Sequence, residues 1–262
     1  MSSGLDVSWL GRRDYDETTS LQADLVEKRR LGEIGDTLLI LGHPPTYTCG
    51  RRTQPGDLPQ SREWYRERGI EVFDTPRGGQ VTYHGPGQLV IYPIVDLTTV
   101  GDQPAGAERA DVAGFVGALE SAMVRTLGRA HVSAGTIEGL TGVWASASSD
   151  IPAGATESSM AGEVANGQVA KIGSIGLRIS RGISSHGLSL NVTCDLAPFE
   201  TITACGIESC RVTSILDMAG DSPSVREVGT IVAGELAGVL GRDMRTVEPH
   251  EIGISPAPVP TA

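Results

Sequence analysis

The side chains best suited to chemistry in this 262-residue sequence are His43, His84, His186, Lys171, Cys205 and Cys210. No Ser-His-Asp nucleophile elbow, no HExxH helix and no GxxxxGK[ST] phosphate loop accompanies them. What remains is a thiol, a lysine and glycine-rich backbone able to hold a substrate. A free cysteine has a pKa near 8.5, so only about 3% is thiolate at pH 7. A neighbouring ammonium favours the thiolate, at about 1.4 kcal/mol for each unit of pKa lowering. Lys171 beside Cys205 would have that effect, or, if desolvated, would be neutral and act as a base. The two lie 34 positions apart (205 − 171). Spacing alone leaves open the alternative of a solvated strand-edge lysine and an inert buried thiol.

Those residues need elements to position them. Arg77 to Gln88, RGGQVTYHGPGQ, is a glycine-rich stretch between two apolar runs, with Arg77 as a donor and His84 as a titratable ring. It reads either as a glycine-rich hairpin end or as a loop that folds over a ligand with main-chain contacts. Ile70 to Phe73 is a strand leading in, and Leu89 to Leu97 (LVIYPIVDL) a strand leading out. Pro93 cannot donate to a ladder, so the second strand should lie at an edge or carry a bulge there. Val169 to Ser180 alternates as a strand that contains Lys171, and Ile183 to Val192 should pair with it, with His186 and Gly187 in its middle.

Thr37 to Leu41 is a further buried strand, and Leu140 to Ala145 another. GHPPTYTCGRR, which carries His43, Tyr47, Cys49 and the exposed-looking pair Arg51 and Arg52, reads as an irregular connection. His43 in it either faces a pocket or is a turn histidine bonded to backbone, and the second is expected. Helices are expected over Thr19–Arg30, Arg62–Arg68 (ended by Gly69) and Asp111–Leu127, the last with Val112, Phe115, Val116, Leu119 and Met123 on one face and Gly128 closing it. A final helix should start at Ser222 and Pro223. Thr203 to Cys210 is a turn holding two thiols. Strands as neighbours with helices between groups predict an α+β domain, a mixed and mostly antiparallel sheet with packed helices. We expect a single catalytic domain over 1–252, a flexible small-residue insertion at 146–167 and a disordered tail at 253–262.

A net charge of −11 argues against a nucleic-acid partner, since phosphate binding needs basic surface. No apolar run approaches the 20 or so residues that span a bilayer, and the first residues lack a hydrophobic signal core. These features predict a cytoplasmic protein without membrane association. Four cysteines, Cys49, Cys194, Cys205 and Cys210, form no CxxC pair, so no zinc site is expected.

Read in order, RGGQVTYHGPGQ, LVIYPIVDL, KIGSIGLRIS, SSHGLSLNV and ACGI resemble the lipoyl (octanoyl) transferases, collinearly from Thr37 to about Ile215. The resemblance implies an octanoyl-[acyl-carrier-protein]:protein N-octanoyltransferase of lipoate biosynthesis, with a fold similar to biotin- and lipoate-protein ligase catalytic domains, an α/β sandwich. Its donor would be octanoyl-acyl-carrier-protein. Its acceptors would be lipoyl domains of 2-oxoacid dehydrogenases and the glycine cleavage H protein. No ATP, metal or other cofactor is implied, because the donor is already a thioester. Carried over by position, Cys205 matches the acylated nucleophile and Lys171 the lysine that tunes it. Arg77, Gly78, Gly79, Gln80, Val81, Thr82, Tyr83 and His84 match one substrate-binding run. Ser174, Ile175 and Gly176 match a second, and His186, Gly187 and Leu188 a third. Two departures stand out: Ala204 precedes the nucleophile where the family has proline, and 146–167 is longer than the family's turn.

Overall fold

The apolar runs of the sequence pair into one large twisted sheet in the computed structural model, which describes residues 4–100, 110–148, 150–203 and 210–254. In chain order the first half comprises β1 (Gly4–Arg12), α1 (Tyr15–Leu31), β2 (Asp36–Gly42), β3 (Thr46–Cys49), α2 (Arg62–Arg66), β4 (Glu71–Asp74), β5 (Val81–His84) and β6 (Gln88–Ile94). The second half comprises α3 (Val112–Arg129), β7 (Ala134–Ile137), β8 (Leu140–Ser146), α4 (Glu157–Ala165), β9 (Val169–Ser180), β10 (Ile183–Asn191), α5 (Ile215–Ala219), α6 (Val225–Leu240) and β11 (Asp243–Thr246).

Among the described residues the large sheet has the order β11-β1-β2-β6-β10-β9-β8-β7. β1 runs parallel to both its neighbours, and the other pairings are antiparallel. A small sheet, β4-β3-β5, stands apart from it. Because side chains alternate along a strand, the two faces of the large sheet build separate cores. Leu38, Ile40, Leu89, Ile91, Ile172 and Leu188 pack on the side of Phe115, Leu119 and Met123 of α3 and Val232 and Leu236 of α6. Leu39, Leu41, Val90 and Tyr92 face the other way, toward Leu25 of α1. The result is the mixed α+β sandwich that the strand pattern predicts. No described helix is long and apolar enough to cross a membrane.

Several local expectations are corrected. Thr46–Cys49 is a strand, parallel to β4 and antiparallel to β5, and not an irregular connection. Prolines 44 and 45 hid it, but they precede the ladder and take nothing from it. Segment 146–167, which has no visible period, contains α4. A capping box between Thr156 and Ser159 starts it, and Met160 and Val164, one turn apart, are its buried contacts. Its apolar face is only two residues wide, too narrow to read among small residues.

Pro93 lies in an interior strand, with β2 on one side of β6 and β10 on the other. The β6–β10 register stops at Leu188↔Ile91; continued by two residues it would set Pro93 opposite His186. There the backbone of His186 turns to φ +53° and its N–H leaves the sheet for the Gln22 side chain. The irregularity expected at Pro93 is therefore carried by its partner strand. α3 continues through Gly128 to Arg129, and α6 is capped by Ser224 in a box with Glu227, two residues later than Ser222. Ile254, within the expected tail, is buried; residues 255–262 lie outside the described residues.

Candidate active site

The sheet face turned away from α3 and α6 is not fully covered by α1. The exposed part, around β9 and β10, is roofed by the Arg77–His84 stretch and encloses a cavity of about 330 Å3. Arg77, Gly79, Gln80, Val81, Thr82 and His84 line one wall. Ser174, Ile175 and Gly176 of β9, His186, Gly187 and Leu188 of β10, and Lys171 line the other. Residues from three separate runs of sequence thus meet in one place. Gly78 and Tyr83 do not border it. Gly78 ties the roof to β9 by donating to the Leu177 carbonyl (2.8 Å), and the Tyr83 ring packs with Tyr47 and Phe199 in the core of the small sheet.

The roof is fastened by Arg77. Its buried guanidinium donates to the Thr48 hydroxyl (2.8 Å) and carbonyl (2.6 Å) and to the Gly78 carbonyl (2.9 Å). Arg77 therefore organises backbone here. A Cβ at Gly176 would sit 3.0 Å from both the Gly78 oxygen and the Arg77 side chain, so the roof can cross β9 only over a glycine.

Lys171 is 6% exposed and reaches the cavity through a second concession of this kind. The register between β8 and β9 slips between Val143↔Gly173 and Trp144↔Lys171, which leaves Ile172 without a partner on β8 and re-aims Lys171. Its stem crosses Gly142, where a Cβ would lie 2.8 Å from the lysine Cε, and φ there is +116°. Nζ donates to the Thr141 carbonyl at 2.8 Å and lies 5.3 Å from the centre of the Trp144 ring. Burial pushes the nearby Glu120 carboxyl up, opposed by the Gly142 N–H and the charge of Lys171. On its other side the Lys171 backbone pairs with the chain at 211–213: its N–H donates to the Arg211 carbonyl (2.8 Å) and its carbonyl accepts from Thr213 (3.0 Å).

Three buried imidazoles cluster here: His84 and His186 line the cavity, and His43 packs against His84 with ring centroids 5.6 Å apart. His43 bonds to the Arg13 carbonyl (2.7 Å) and the Tyr92 hydroxyl (2.7 Å). A carbonyl can only accept, so Nδ1 carries the proton and Nε2 accepts from Tyr92. The backbone bond is the one expected of His43, although its partner is 30 residues away. His84 bonds through Nδ1 to the Gln88 side chain (2.7 Å) and stacks on Tyr15. His186 has no partner for Nδ1 among the described residues. Burial, ahead of neighbouring charges, lowers all three: His84 to about 3, His43 and His186 to about 4. They are neutral rings at physiological pH.

The thiols divide. Cys49 and Cys194 are buried, and burial raises both, Cys194 to about 12, so neither is a ready nucleophile. The Cys210 thiol lies 3.8 Å from the neighbouring Arg211 carbonyl. Cys205 lies outside the described residues, in 204–209. Its described flanks are anchored, Thr203 by its N–H on the Asp57 carbonyl (2.9 Å) and Arg211 on Lys171. Sequence reasoning missed Tyr15, Thr141, Trp144 and Tyr92 as lining residues. Tyr92 alone left a signal, a hydroxyl inside an apolar strand. Arg52 borders the cavity and Arg51 is exposed beside it.

The lipoyl protein ligase A/B catalytic domain matches residues 14–237. The octanoyltransferase of Acidobacterium capsulatum is 41% identical over 221 residues, covering 84% of this chain and 83% of that protein. The octanoyltransferase of Corynebacterium aurimucosum is 36% identical over 259 residues, 98% of this chain and 87% of that protein. Among solved structures, a bi-partite lipoate protein ligase from Thermoplasma acidophilum superposes with a TM-score of 0.66 at 16% identity, covering 94% of this chain and 87% of that one. A lipoate-protein ligase A bound with ATP gives 0.62 at 16% identity, covering 95% and 89%. At such identities these two share the fold.

Proposed function

The chain belongs to the octanoyltransferases of the lipoyl protein ligase A/B catalytic family and is an acyltransferase, and on that footing we propose that it carries octanoyl from octanoyl-acyl-carrier-protein to a lysine of a lipoyl domain through a Cys205 acyl-thioester. The observation that supports this reading best is the position of Lys171. Its amine borders the same cavity as the three glycine-bearing runs, and its backbone holds the chain at 211–213, six residues beyond Cys205.

In the first step the Cys205 thiolate attacks the octanoyl carbonyl, and the bond to the phosphopantetheine sulfur breaks. That sulfur leaves with a proton delivered from the Lys171 side. One thioester replaces another at little net cost. In the second step the neutral amine of the acceptor lysine attacks. The C–N bond forms, the C–S bond breaks, and the proton lost by the amine returns through Lys171 to the enzyme. Amide formation from a thioester is downhill and supplies the drive. Val81, with Gly79 beside it, offers an apolar wall for the acyl chain. At about 0.8 kcal/mol per buried methylene such a wall discriminates chain length modestly. The acceptors proposed are lipoyl domains of 2-oxoacid dehydrogenases and the glycine cleavage H protein, in the cytoplasm and without a bound cofactor.

Intact-mass spectrometry after mixing with octanoyl-acyl-carrier-protein tests donor, nucleophile and reaction together. One octanoyl group should appear on the wild-type chain, map to Cys205, and leave on addition of a lipoyl domain. Cys205→Ser should fold normally and transfer nothing; an undiminished rate in that variant refutes the assignment. Transfer from free octanoate with ATP and magnesium would mark a ligase instead, and free octanoate released without a lipoyl domain a thioesterase.

A further inference from the structure

A single peptide unit stands between the Lys171 amine and a carboxylate. It joins Thr141 to Gly142 near the start of β8. The β8–β7 register passes from Trp144↔Gly135 to Leu140↔Ile137, and the β8–β9 register stops at Val143↔Gly173, so the ladders step around this unit on both sides. Its two polar groups turn to side chains. The Gly142 N–H donates to Glu120 Oε1 of α3 at 2.9 Å, and the Thr141 carbonyl accepts from Lys171 Nζ at 2.8 Å. In a trans peptide these groups point opposite ways, so the carboxylate and the amine meet one peptide plane from its two edges.

The lysine itself demands a glycine at 142, because a Cβ there would lie 2.8 Å from its Cε. The same glycine removes the side chain that would hinder rotation of the peptide before it. Turned over, that peptide would set its N–H against the donor Lys171 and its carbonyl against the acceptor Glu120, two mismatched contacts in place of two good ones. The carboxylate therefore selects one orientation. Glu120 is the one acidic residue of α3, half-buried beside the core residues Leu119 and Met123. Burial pushes its carboxyl up, and the Gly142 N–H and the charge of Lys171 draw it back. Packing alone gives no reason to desolvate a carboxylate on such a helix.

Resting on the role proposed for Lys171, we infer that Glu120 is a positioning residue: it fixes the Thr141–Gly142 peptide with its carbonyl toward the Lys171 amine and thereby holds that amine at the cavity wall. Glu120 touches no substrate and moves no proton. Its charge polarises the peptide, so the carbonyl on the far edge is a stronger acceptor. An amine tied at one proton keeps its others for the cavity. Three features then act in turn on the same side chain. The register slip aims Lys171, Gly142 admits its stem, and Glu120 fixes the carbonyl on which its tip rests.

The test pairs NMR signals of the Lys171 side chain with the kinetics of octanoyl transfer. In wild type the Gly142 amide signal should move as the Glu120 carboxyl titrates. A Gly142 amide that stays put through that titration overturns the inference even if no variant folds. Glu120→Ala should shift the Nζ and Cε signals of Lys171 and lower kcat about tenfold, the scale of one lost hydrogen bond, with KM for both protein substrates unchanged. Unmoved Lys171 signals, or kcat and KM changed together, mark a merely structural carboxylate and overturn it. Glu120→Gln keeps an oxygen for the Gly142 N–H. A neutral bond is roughly half as strong as a charge-assisted one, so this variant should return kcat to within about threefold of wild type. Glu120→Gln as slow as Glu120→Ala overturns the inference. If Lys171→Ala transfers undiminished, the lysine's part in the reaction has failed and this role with it; an inactive Lys171→Ala beside unmoved Lys171 signals in Glu120→Ala condemns this role alone.

Discussion

At one end of the cavity the Lys171 amine donates to the Thr141 carbonyl beside the Trp144 ring, on a flexible stem that a register slip and Gly142 admit. At the other end the His43 and His84 rings are bonded at fixed nitrogens, and they and His186 are held neutral by burial. A rotating amine can present a donor in several directions. A buried ring with one nitrogen committed can present a lone pair in only one. The contrast suits a reaction in which a proton must travel at one end while groups are oriented at the other. It also explains the cost of the site. The neutral end is rigid because the His43 and His84 rings are tied to Arg13 after β1 and to Gln88 of β6, and the His186 backbone N–H to Gln22 of α1.

The comparison breaks most readily at the lysine. Lys171→Ala should lower acyl transfer by about 10²- to 10⁴-fold, the range for a lost proton-transfer group. It should also raise the thiol pKa read from alkylation rate against pH, and an unchanged alkylation profile would remove the lysine from the chemistry. At the histidine end the largest effect is on stability. The unfolded chain takes up protons on these rings near pH 6.5, the folded chain only near 3 to 4. Between those values the unfolded state binds more protons, so stability is full above pH 6.5 and falls as the pH drops. Each ring contributes a slope of about 1.4 kcal/mol per pH unit at most. Denaturant midpoints at pH 7, 5.5 and 4.5 check this, and a flat series would mean that the rings are not buried neutral.

Tyr92→Phe sharpens the comparison further. It removes the Tyr92 hydroxyl that donates to His43 Nε2 and should cost about 1–3 kcal/mol in the same denaturation assay at pH 7. The smallest effect is expected at the mouth. Reversing the charge of Arg51 and Arg52 should raise the apparent KM for the acidic carrier protein a few-fold, more at low salt, with little change in kcat. A salt-independent KM would assign these arginines to solvent.

Much of the scaffold was legible because its signals are local. The alternation in Val169–Ser180 and the spacing of Phe115, Leu119 and Met123 each describe a single element facing a single core. The misreadings share a cause. Thr46–Cys49 is a strand because β4 and β5 flank it, and α4 is a helix because a capping box and two buried contacts suffice once β8 and β9 lie beneath it. Pro93 looked like an edge because its missing N–H is visible in sequence, whereas the accommodation, His186 turning to φ +53°, occurs 93 residues later.

By itself the amino-acid sequence determined which groups exist: a glycine-rich run with Arg77 and His84, a lysine in a strand, and thiols without metal-binding spacing. It also determined that the sheet must have two apolar faces, since alternation needs no knowledge of neighbours. Only the tertiary structure decided which of those groups share a cavity, and which nitrogen of the His43 imidazole bears the proton. Those outcomes depend on pairing between strands distant in sequence, and on hydrogen bonds whose direction is inherited from a carbonyl on another part of the chain. No local pattern of residue types encodes either one.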